Sequence, residues 1–238
     1  VMPSYTTRKQ FKFISDACLF IGTEIATTID DLTAIFLTYS SLRTNRYLKK
    51  PVHVLFVDVG ASSTRAYSAT FEYNKEPMEH SIVNQTSYDF TEKVGGIAFA
   101  KALAAHQNIS IQKAMKTLIR TSGEGKEDFL LDELTELKNF IYDITETARK
   151  VAPIDEIQLI GGASTYRFVV DAIKTAANHS IRRDFNANDA IALGAAIGSM
   201  VMNDESAFIP SILNKKPTKS ITATCGNFTQ TYCKRGES

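Results

Sequence analysis

Residues 54–64 have the sequence VLFVDVGASST, an apolar run followed by an acid and a turn of small residues. Residues 157–164, IQLIGGAS, are a second apolar run that ends in two glycines. Short runs of this kind predict buried strands, and the small residues after them let the backbone approach a ligand closely. Consecutive N–H groups in such turns form an anion-sized cavity. The pair predicts a site for nucleotide phosphates, with a metal held through Asp58, at one shared edge of a sheet.

The residues of this predicted site also have simpler structural interpretations. Asp58 is either a carboxylate that orients waters around Mg²⁺ or a strand-end acid that caps a turn. Gly161 and Gly162 allow close packing at a strand–helix corner, which is compatible with ligand binding. Asp31 either acts on a catalytic water or caps the helix that follows it. For Arg65, a position on the outer face of a strand is favoured over a contact with phosphate.

The size and charge of the chain exclude several classes of protein. Its 238 residues suffice for one large domain or two small ones, and its formal net charge is +1 at pH 7. This balance gives no electrostatic footprint for nucleic acid or an anionic membrane. The longest apolar stretch, residues 190–202, is too short to span a bilayer. Val1-Met2-Pro3 resembles the end of a strand, so we expect the chain to start inside a longer protein.

The cysteines and histidines have no spacing typical of a metal site. Cys18 lies on the apolar face of a predicted helix and is expected to be buried and free. Cys225 and Cys233 lie in an alternating stretch, where they either stay unpaired or form a disulfide across a hairpin. The histidines are expected to be surface residues or residues with satisfied hydrogen bonds.

Four Asn-x-Ser/Thr sequons begin at Asn84, Asn108, Asn178 and Asn227. This exceeds what chance alone would place in the chain and favours the lumen of the endoplasmic reticulum, with the cytoplasm as the alternative. Glycan acceptors must be accessible, so we expect these four asparagines to be largely exposed.

The pattern of apolar residues predicts alternating helices and strands. Helices are expected over residues 7–21, 30–39, 96–104, 111–119, 131–151, 164–177 and 187–202, and strands over 24–29, 54–58, 65–73, 80–90 and 157–160. The polar stretch 42–51 is expected to be a loop, and residues 74–77 a turn. This order indicates an α/β fold that is not a simple doubly wound repeat. The composition changes near Ala207, where we place a boundary before a β module.

Five segments, in this order, resemble one family. They are Val1-Met2-Pro3-Ser4-Tyr5, Ile29-Asp30-Asp31-Leu32-Thr33-Ala34, the turn at residues 58–64, Gly161-Gly162-Ala163-Ser164 and Asn186-Ala187-Asn188-Asp189-Ala190. Over residues 1–203 the chain is similar to lobe II of the ATPase domain of the 70-kDa heat-shock chaperones. The Gly-Ala-Ser-Ser turn is nearest to that of the large 170-kDa glucose-regulated and 110-kDa relatives.

The resemblance implies a fold and a domain organisation. The fold is an actin-like (ribonuclease H-like) ATPase lobe, with a mixed sheet, flanking helices and a reduced upper helical subdomain. Residues 1–206 correspond to lobe II of a nucleotide-binding domain whose lobe I the chain lacks. Residues 207–238 correspond to a linker and the start of a truncated β module.

The resemblance also implies a ligand and the residues that contact it. The ligand is ATP or ADP with Mg²⁺, bound weakly or not at all by this fragment, with Asp58 holding the metal through water. Asp58 and Asp31 take the catalytic positions. The residues in nucleotide-contacting positions are Gly60, Ala61, Ser62, Ser63, Gly95, Gly96, Lys116, Gly161, Gly162, Ala163 and Asn188.

The sequence departs from the family pattern at several of these positions. Arg65 replaces an acid that follows the second phosphate turn, and Thr165 replaces an arginine that covers the adenine. In the adenosine-contacting helix, Glu-x-x-Lys-Arg-x-x-Ser is replaced by Gln112, Met115, Lys116 and Ile119, of which Lys116 alone keeps the chemistry. Half of the catalytic cage is missing with lobe I, so we expect no ATP hydrolysis by this chain.

Three functions remain open at this stage. The first is an ATP-binding chaperone fragment that assists protein folding and binds unfolded clients. The second is a non-hydrolysing co-chaperone, or nucleotide-exchange partner, that binds another chaperone, and the departures favour it. The third and weaker one is a sugar kinase of the same actin-like superfamily.

Overall fold

The computed structural model describes residues 1–25, 28–74, 80–125, 127–203, 211–213, 221–225 and 228–233. The helices are α1 (Arg8–Phe20), α2 (Asp31–Tyr47), α3 (Gly96–Gln107), α4 (Ile111–Thr121), α5 (Leu131–Arg149), α6 (Arg167–Ala177) and α7 (Ala190–Asn203). The strands are β1 (Val52–Val59), β2 (Thr64–Asn74), β3 (His80–Thr91), β4 (Glu156–Ile160), β5 (Ile181–Arg182), β6 (Ser211–Leu213), β7 (Ile221–Cys225) and β8 (Phe228–Cys233). Short 3₁₀ turns occupy Glu127–Phe129 and Gly162–Thr165.

A mixed sheet with the strand order β5-β4-β1-β2-β3-β6 forms the centre of the fold. β1, β2 and β3 are consecutive antiparallel strands, whereas β4 runs parallel to β1 and β5 parallel to β4. All eight residues of β1 are buried, as expected for the central strand of a sheet covered on both faces. The mixed sheet with flanking helices confirms the predicted fold class.

Two hydrophobic layers cover the sheet. Leu55, Val57 and Val59 of β1 pack with α3, α4, α5 and α6 on one face. Val54 and Phe56 point to the other face and pack with the aromatic side chains of α2. This alternation along one strand explains why an uninterrupted apolar run is needed at 54–57.

The second layer is completed by a close crossing of α2 and α7. A Cβ at Gly194 would lie 1.8 Å from the carbonyl oxygen of Ala34, so only glycine allows this approach. The Thr38 hydroxyl also donates a hydrogen bond of 2.7 Å to the carbonyl of Ala190. The small residues of the apolar stretch 190–202 therefore serve helix packing.

Helix α2 is longer than the sequence pattern predicts. It continues to Tyr47, with non-helical backbone angles at Arg43, so the predicted loop over 42–51 is wrong for most of its length. Tyr47 is buried, its ring stacks on Tyr39, and its hydroxyl donates to the Ser40 carbonyl at 2.9 Å. This tertiary burial holds a polar stretch in helical form. The N-cap is Asp30, whose carboxylate accepts from the Thr33 N–H.

Other boundaries differ by a few residues. Helix α7 begins at Ala190, later than predicted, and α6 begins at Arg167 after the 3₁₀ turn. The predicted strand at 24–29 is absent from its described residues, where Met2 and Asp30 instead form an isolated parallel bridge. Most of the predicted turn at 74–77 lies outside the described residues.

Helix α1 begins at a capping box and stays on the surface. The Thr7 hydroxyl accepts from the Gln10 N–H, and the Gln10 side chain accepts from the Thr7 N–H. The helix has no buried residue. Cys18 is free but only half-buried, so its predicted burial is wrong.

The hairpin of β7 and β8 separates the two C-terminal cysteines. Cys225 is opposite Phe228, next to the turn, and Cys233 is opposite Ile221, at the other end. Disulfides need Cα atoms within about 7 Å, which this register does not allow. The disulfide alternative for Cys225 and Cys233 is therefore wrong in this register.

The first short strand after α7 joins the main sheet. β6 pairs in parallel with β3, opposite Ile82, Val83 and Asn84. The hairpin of β7 and β8 forms a separate two-stranded sheet. The boundary near Ala207 stays a prediction.

In the described part of the chain, no helix combines the length and the apolar character needed to cross a membrane.

Candidate functional site

The two glycine turns open on the same edge of the sheet, as predicted. β1 and β4 are parallel neighbours, and Asp58 is paired with Ile160. The turns that follow these strands therefore begin side by side at their carboxyl ends. The Gly161 N–H donates to the carbonyl of Ala187 at 2.8 Å, which attaches the turn before α7 to the same edge.

The turn at residues 60–63 is closed by its own hydrogen bond and supports helix α3. The Gly60 N–H donates to the Ser63 carbonyl at 2.9 Å. The N–H groups of Gly96 and Ile97 donate to the carbonyls of Gly60 and Ala61 at 2.9 and 2.8 Å. The first N–H groups of α3 are thus bonded to the turn. The predicted Gly95–Gly96 pair packs against the turn and supports it.

Two of the glycines are required by close packing around the turns. A Cβ at Gly95 would lie 2.8 Å from the Ser63 nitrogen, and a Cβ at Gly161 would lie 2.3 Å from Asp58 Oδ1. Gly161 also has φ +85° and ψ 147°, a combination that is essentially restricted to glycine. The structural interpretation of Gly161, close packing at a strand–helix corner, is therefore correct.

A pocket of about 290 Å³ lies between the turns and helix α4. It is lined by Ala61, Gly96, Met115, Ile119, Gly162, Ala163, Thr165, Tyr166 and Asn188. Five of these were predicted as ligand contacts and come from four separate segments. The volume suits a small ligand, because pockets of roughly 300 Å³ and above hold small molecules.

The other predicted contact residues lie around this pocket but do not line it. Gly60, Ser63, Gly95 and Gly161 form the supporting turns. Ser62 lines a separate, more open pocket beside Lys93 and Lys101. Lys116 is exposed on α4 and does not line the pocket.

The wall contributed by α4 is apolar. Met115 and Ile119 face the pocket four residues apart on the helix. On the opposite side, Thr165 donates to the carbonyl of Gly162 at 2.7 Å, and Tyr166 is buried. The sequence showed that Met115 and Ile119 depart from the family pattern, but their i, i+4 spacing was the available signal that they share one wall.

Arg65 lies between two carboxylates, and its predicted position on the outer face of a strand is wrong. Its guanidinium forms ion pairs with Asp58 and with Asp31. The side chain of Arg65 is 14% exposed, and those of Asp31 and Asp58 are 4% and 2% exposed. Asp31, the first residue of α2, also accepts the N–H groups of Ser4 and Leu32 at 2.9 and 3.0 Å.

Burial and charge oppose each other in this cluster. Burial raises the pKa of Asp58 above its ordinary value, and the neighbouring Arg65 partly offsets this effect. Burial alone would lower the pKa of Arg65, but Asp58 and Asp31 outweigh it and raise that pKa. Arg65 therefore stays charged and acts as the counter-ion of both acids.

The contacts of Asp58 do not fit a bound Mg²⁺ ion. Mg²⁺ would have to share Asp58 and Asp31 with a guanidinium that already pairs with both. A dication placed there would be repelled by Arg65 at contact distance. Among the described residues, no group of three or more His, Cys, Asp or Glu could hold a metal ion.

His53 is the one histidine that is buried among the described side chains, and its hydrogen bonds are satisfied. Its Nδ1–H donates to the Ala152 carbonyl at 3.0 Å, so Nε2 accepts from the Thr86 hydroxyl at 2.9 Å. Ser68 joins Thr86 at 2.7 Å and Ser87 at 2.6 Å. Ser68, Thr86 and Ser87 lie at the β-bulge of β2 and β3, away from the pocket. The prediction of a satisfied histidine is confirmed for His53.

We predict that His53 makes the fold sensitive to acid. Burial lowers its pKa from the ordinary value of 6.5, although the Ala152 carbonyl partly offsets this effect. Below pH 6.5 the unfolded chain takes up a proton that the folded chain resists, so the free energy of unfolding falls as the pH decreases. Urea unfolding at pH 7.5 and pH 5 should show a smaller difference for His53→Gln than for wild type. Superimposable pH profiles would contradict the prediction.

The mixed sheet has three antiparallel strands, and the strands that follow them run parallel to the first. A pocket lies at the carboxyl ends of β1 and β4. These features define the class, an actin-like α/β ATPase lobe. The family model described as Hsp70 protein matches residues 127–234. This match, together with the similar proteins described next, confirms the resemblance to the 70-kDa heat-shock protein family and to its 110-kDa members.

The similar full-length proteins are heat-shock proteins. Heat shock protein 110 of Caenorhabditis elegans is 23% identical over 249 residues, which cover 85% of this chain and 31% of that protein. A heat shock protein homolog of Naumovozyma castellii is 25% identical over 240 residues (82% and 34%). The corresponding heat shock protein homolog of Lachancea kluyveri is 23% identical over 237 residues (82% and 34%). The chain spans about a third of the length of these curated relatives.

Proposed function

We propose that this chain is part of a chaperone-type protein that does not hydrolyse ATP and acts as a co-chaperone of another chaperone. Its place is in the nucleotide-binding domain, where lobe I would complete the site from the other side. ATP turnover in this family depends on groups that position and neutralise the γ-phosphate. Arg65 replaces the acid that follows the second phosphate turn in the family, and it pairs with the two acids that this chain retains, Asp31 and Asp58.

The observation that carries this proposal is the pairing of Arg65 with both Asp31 and Asp58. A carboxylate paired with a guanidinium is a poor metal ligand, because a cation already occupies the position that the metal would take. The cluster of two acids and one base also carries a net charge of about −1, which disfavours a polyphosphate nearby. Nucleotide affinity should therefore be low, roughly millimolar and worth about 4 kcal/mol.

An ATP-binding chaperone that acts on unfolded clients is the second candidate. The pocket between the turns and α4 supports it, because Ala61, Gly162 and Asn188 still converge there. Apolar residues at positions 115 and 119 would contact a base without hydrogen bonds. This candidate requires binding of Mg-ATP together with unfolded peptide.

Two measurements on the chain test these candidates, and the second of them distinguishes the two. In the first, calorimetric titration with Mg-ATP should give binding no tighter than roughly millimolar and no turnover. In the second, the rate of release of fluorescent ADP from an Hsp70-type ATPase domain should rise when the chain is added. Micromolar affinity, or turnover abolished by Asp58→Asn, would refute the non-hydrolysing function and favour the second candidate.

We also propose a location in the lumen of the endoplasmic reticulum, with the cytoplasm as the alternative. Asn108 and Asn178 are exposed, each in a left-handed conformation at the end of a helix. Asn84 is half-buried within β3, so its predicted exposure is wrong, and Asn227 lies outside the described residues.

We predict that Asn108 and Asn178 accept glycans when the chain is translated into microsomes behind a secretion leader. Their exposure lets the transferase reach both sequons, whereas Asn84 is constrained by its pairing with Thr70. Asn108→Gln and Asn178→Gln should each remove one endoglycosidase-sensitive step in gel mobility. An unglycosylated product would count against the lumenal location.

A further inference from the structure

We propose that Arg65 is a built-in cation that closes a latent divalent-cation site formed by Asp31 and Asp58. In the wild-type chain the guanidinium takes the place of the metal by pairing with both acids. Removal of the guanidinium should convert the same two acids into a metal site. The pairing of Arg65 with the two acids does not depend on a partner or on clients.

Three elements bring the cluster together. Asp58 is the next-to-last residue of β1, and Arg65 is its direct cross-strand neighbour on β2. Asp31 begins α2, which packs on the same strands from one face. The guanidinium nitrogen Nη2 lies close to the turn as well, 3.9 Å from the position that a Cβ would take at Gly60. Arg65 therefore lies beneath the turn that was predicted to hold phosphate.

The remaining carboxylate oxygens are already occupied or enclosed. Asp31 Oδ1 accepts the N–H groups of Ser4 and Leu32, while Oδ2 pairs with Arg65. Asp58 Oδ2 pairs with Arg65, while Oδ1 packs against Gly161. Both inward-facing oxygens thus point at the guanidinium and at no other described cation.

Removal of the arginine would leave two nearly buried carboxylates facing the volume that it fills. Hard divalent cations bind oxygen ligands and accept one or two carboxylates with waters completing their shell. A dication would neutralise both acids, whereas Arg65 leaves a net charge of about −1. The replacement is therefore favoured electrostatically once the guanidinium is gone.

The test uses Mn²⁺ alone, whose free concentration is followed by electron paramagnetic resonance. Arg65→Ser should bind one Mn²⁺ per chain at least about tenfold more tightly than wild type. Added Mn²⁺ should also raise the midpoint of thermal unfolding of this variant and leave that of wild type unchanged. Arg65→Gln, which is closer in size, gives the same readout if Arg65→Ser is poorly folded.

Matched variants locate the effect at the cluster. Arg65→Lys retains a cation and should behave like wild type. Addition of Asp31→Asn and Asp58→Asn to Arg65→Ser should abolish the gained Mn²⁺ site. Wild-type binding of Mn²⁺ that Asp58→Asn removes would overturn the proposal. So would Arg65→Ser and Arg65→Gln variants that gain neither Mn²⁺ affinity nor Mn²⁺-dependent stability.

Discussion

Replacement of Gly161 by alanine is expected to lower the free energy of unfolding by about 3 kcal/mol. Part of the loss arises because φ +85° and ψ 147° are unfavourable for a residue with a Cβ. The rest arises because that Cβ would lie 2.3 Å from Asp58 Oδ1 and 2.5 Å from the Val59 carbonyl. The ends of β1 and β4 would have to separate, which would also disrupt the sheet edge that holds the pocket. Urea unfolding followed by circular dichroism measures the loss.

Gly22→Ala is the matched control for this prediction. Gly22 also has a positive φ, +75°, but a Cβ there would meet no atom within 4 Å. It should therefore lose only the conformational part, about 1 kcal/mol. The difference between the two variants isolates the cost of close packing at Asp58. Equal losses would mean that Gly161 is required for its backbone angles alone.

The fold could be predicted where local sequence and long-range packing agree. The run at 54–59 is apolar at nearly every position, and every residue of β1 is buried in the centre of the sheet. The extension of α2 to Tyr47 could not be predicted, because residues 42–51 are polar and basic. Tyr47 is held by contacts with Tyr39 and Phe71, which come from the same helix and from a distant strand.

The candidate site shows the same division. The turns at Asp58 and Gly161 could be predicted because each is a local pattern after a strand. The position of Arg65 depends on strand register and on the first turn of α2, and a single residue type carries no such information. A signal was nevertheless present: closure of the turn at residues 60–63 by the pair Val59 and Thr64 places Asp58 opposite Arg65. Opposite charges at a directly paired position stabilise a sheet.

Arg65→Met is expected to lower the free energy of unfolding by about 3–5 kcal/mol at neutral pH. The substitution removes the guanidinium that pairs with two acids of 4% and 2% exposure and leaves both without a counter-ion. Methionine keeps much of the side-chain volume, so lost packing contributes little. The measurement is urea unfolding in buffer with a chelator, which prevents a divalent ion from replacing the lost charge.

Arg167→Met is the matched control, because it removes an arginine from an exposed ion pair with Glu124, where the side chains are 67% and 72% exposed. Exposed pairs of this kind contribute little, so the loss should stay below about 1 kcal/mol.

Addition of Asp31→Asn and Asp58→Asn to Arg65→Met should restore much of the stability, because amides need no counter-ion. Since the Ser4 and Leu32 N–H groups can still donate to an amide oxygen, the restoration tests charge rather than hydrogen bonding. If Arg65→Met were no more costly than Arg167→Met, Arg65 would not be the counter-ion of the two buried acids, and the electrostatic basis proposed for this site would be lost.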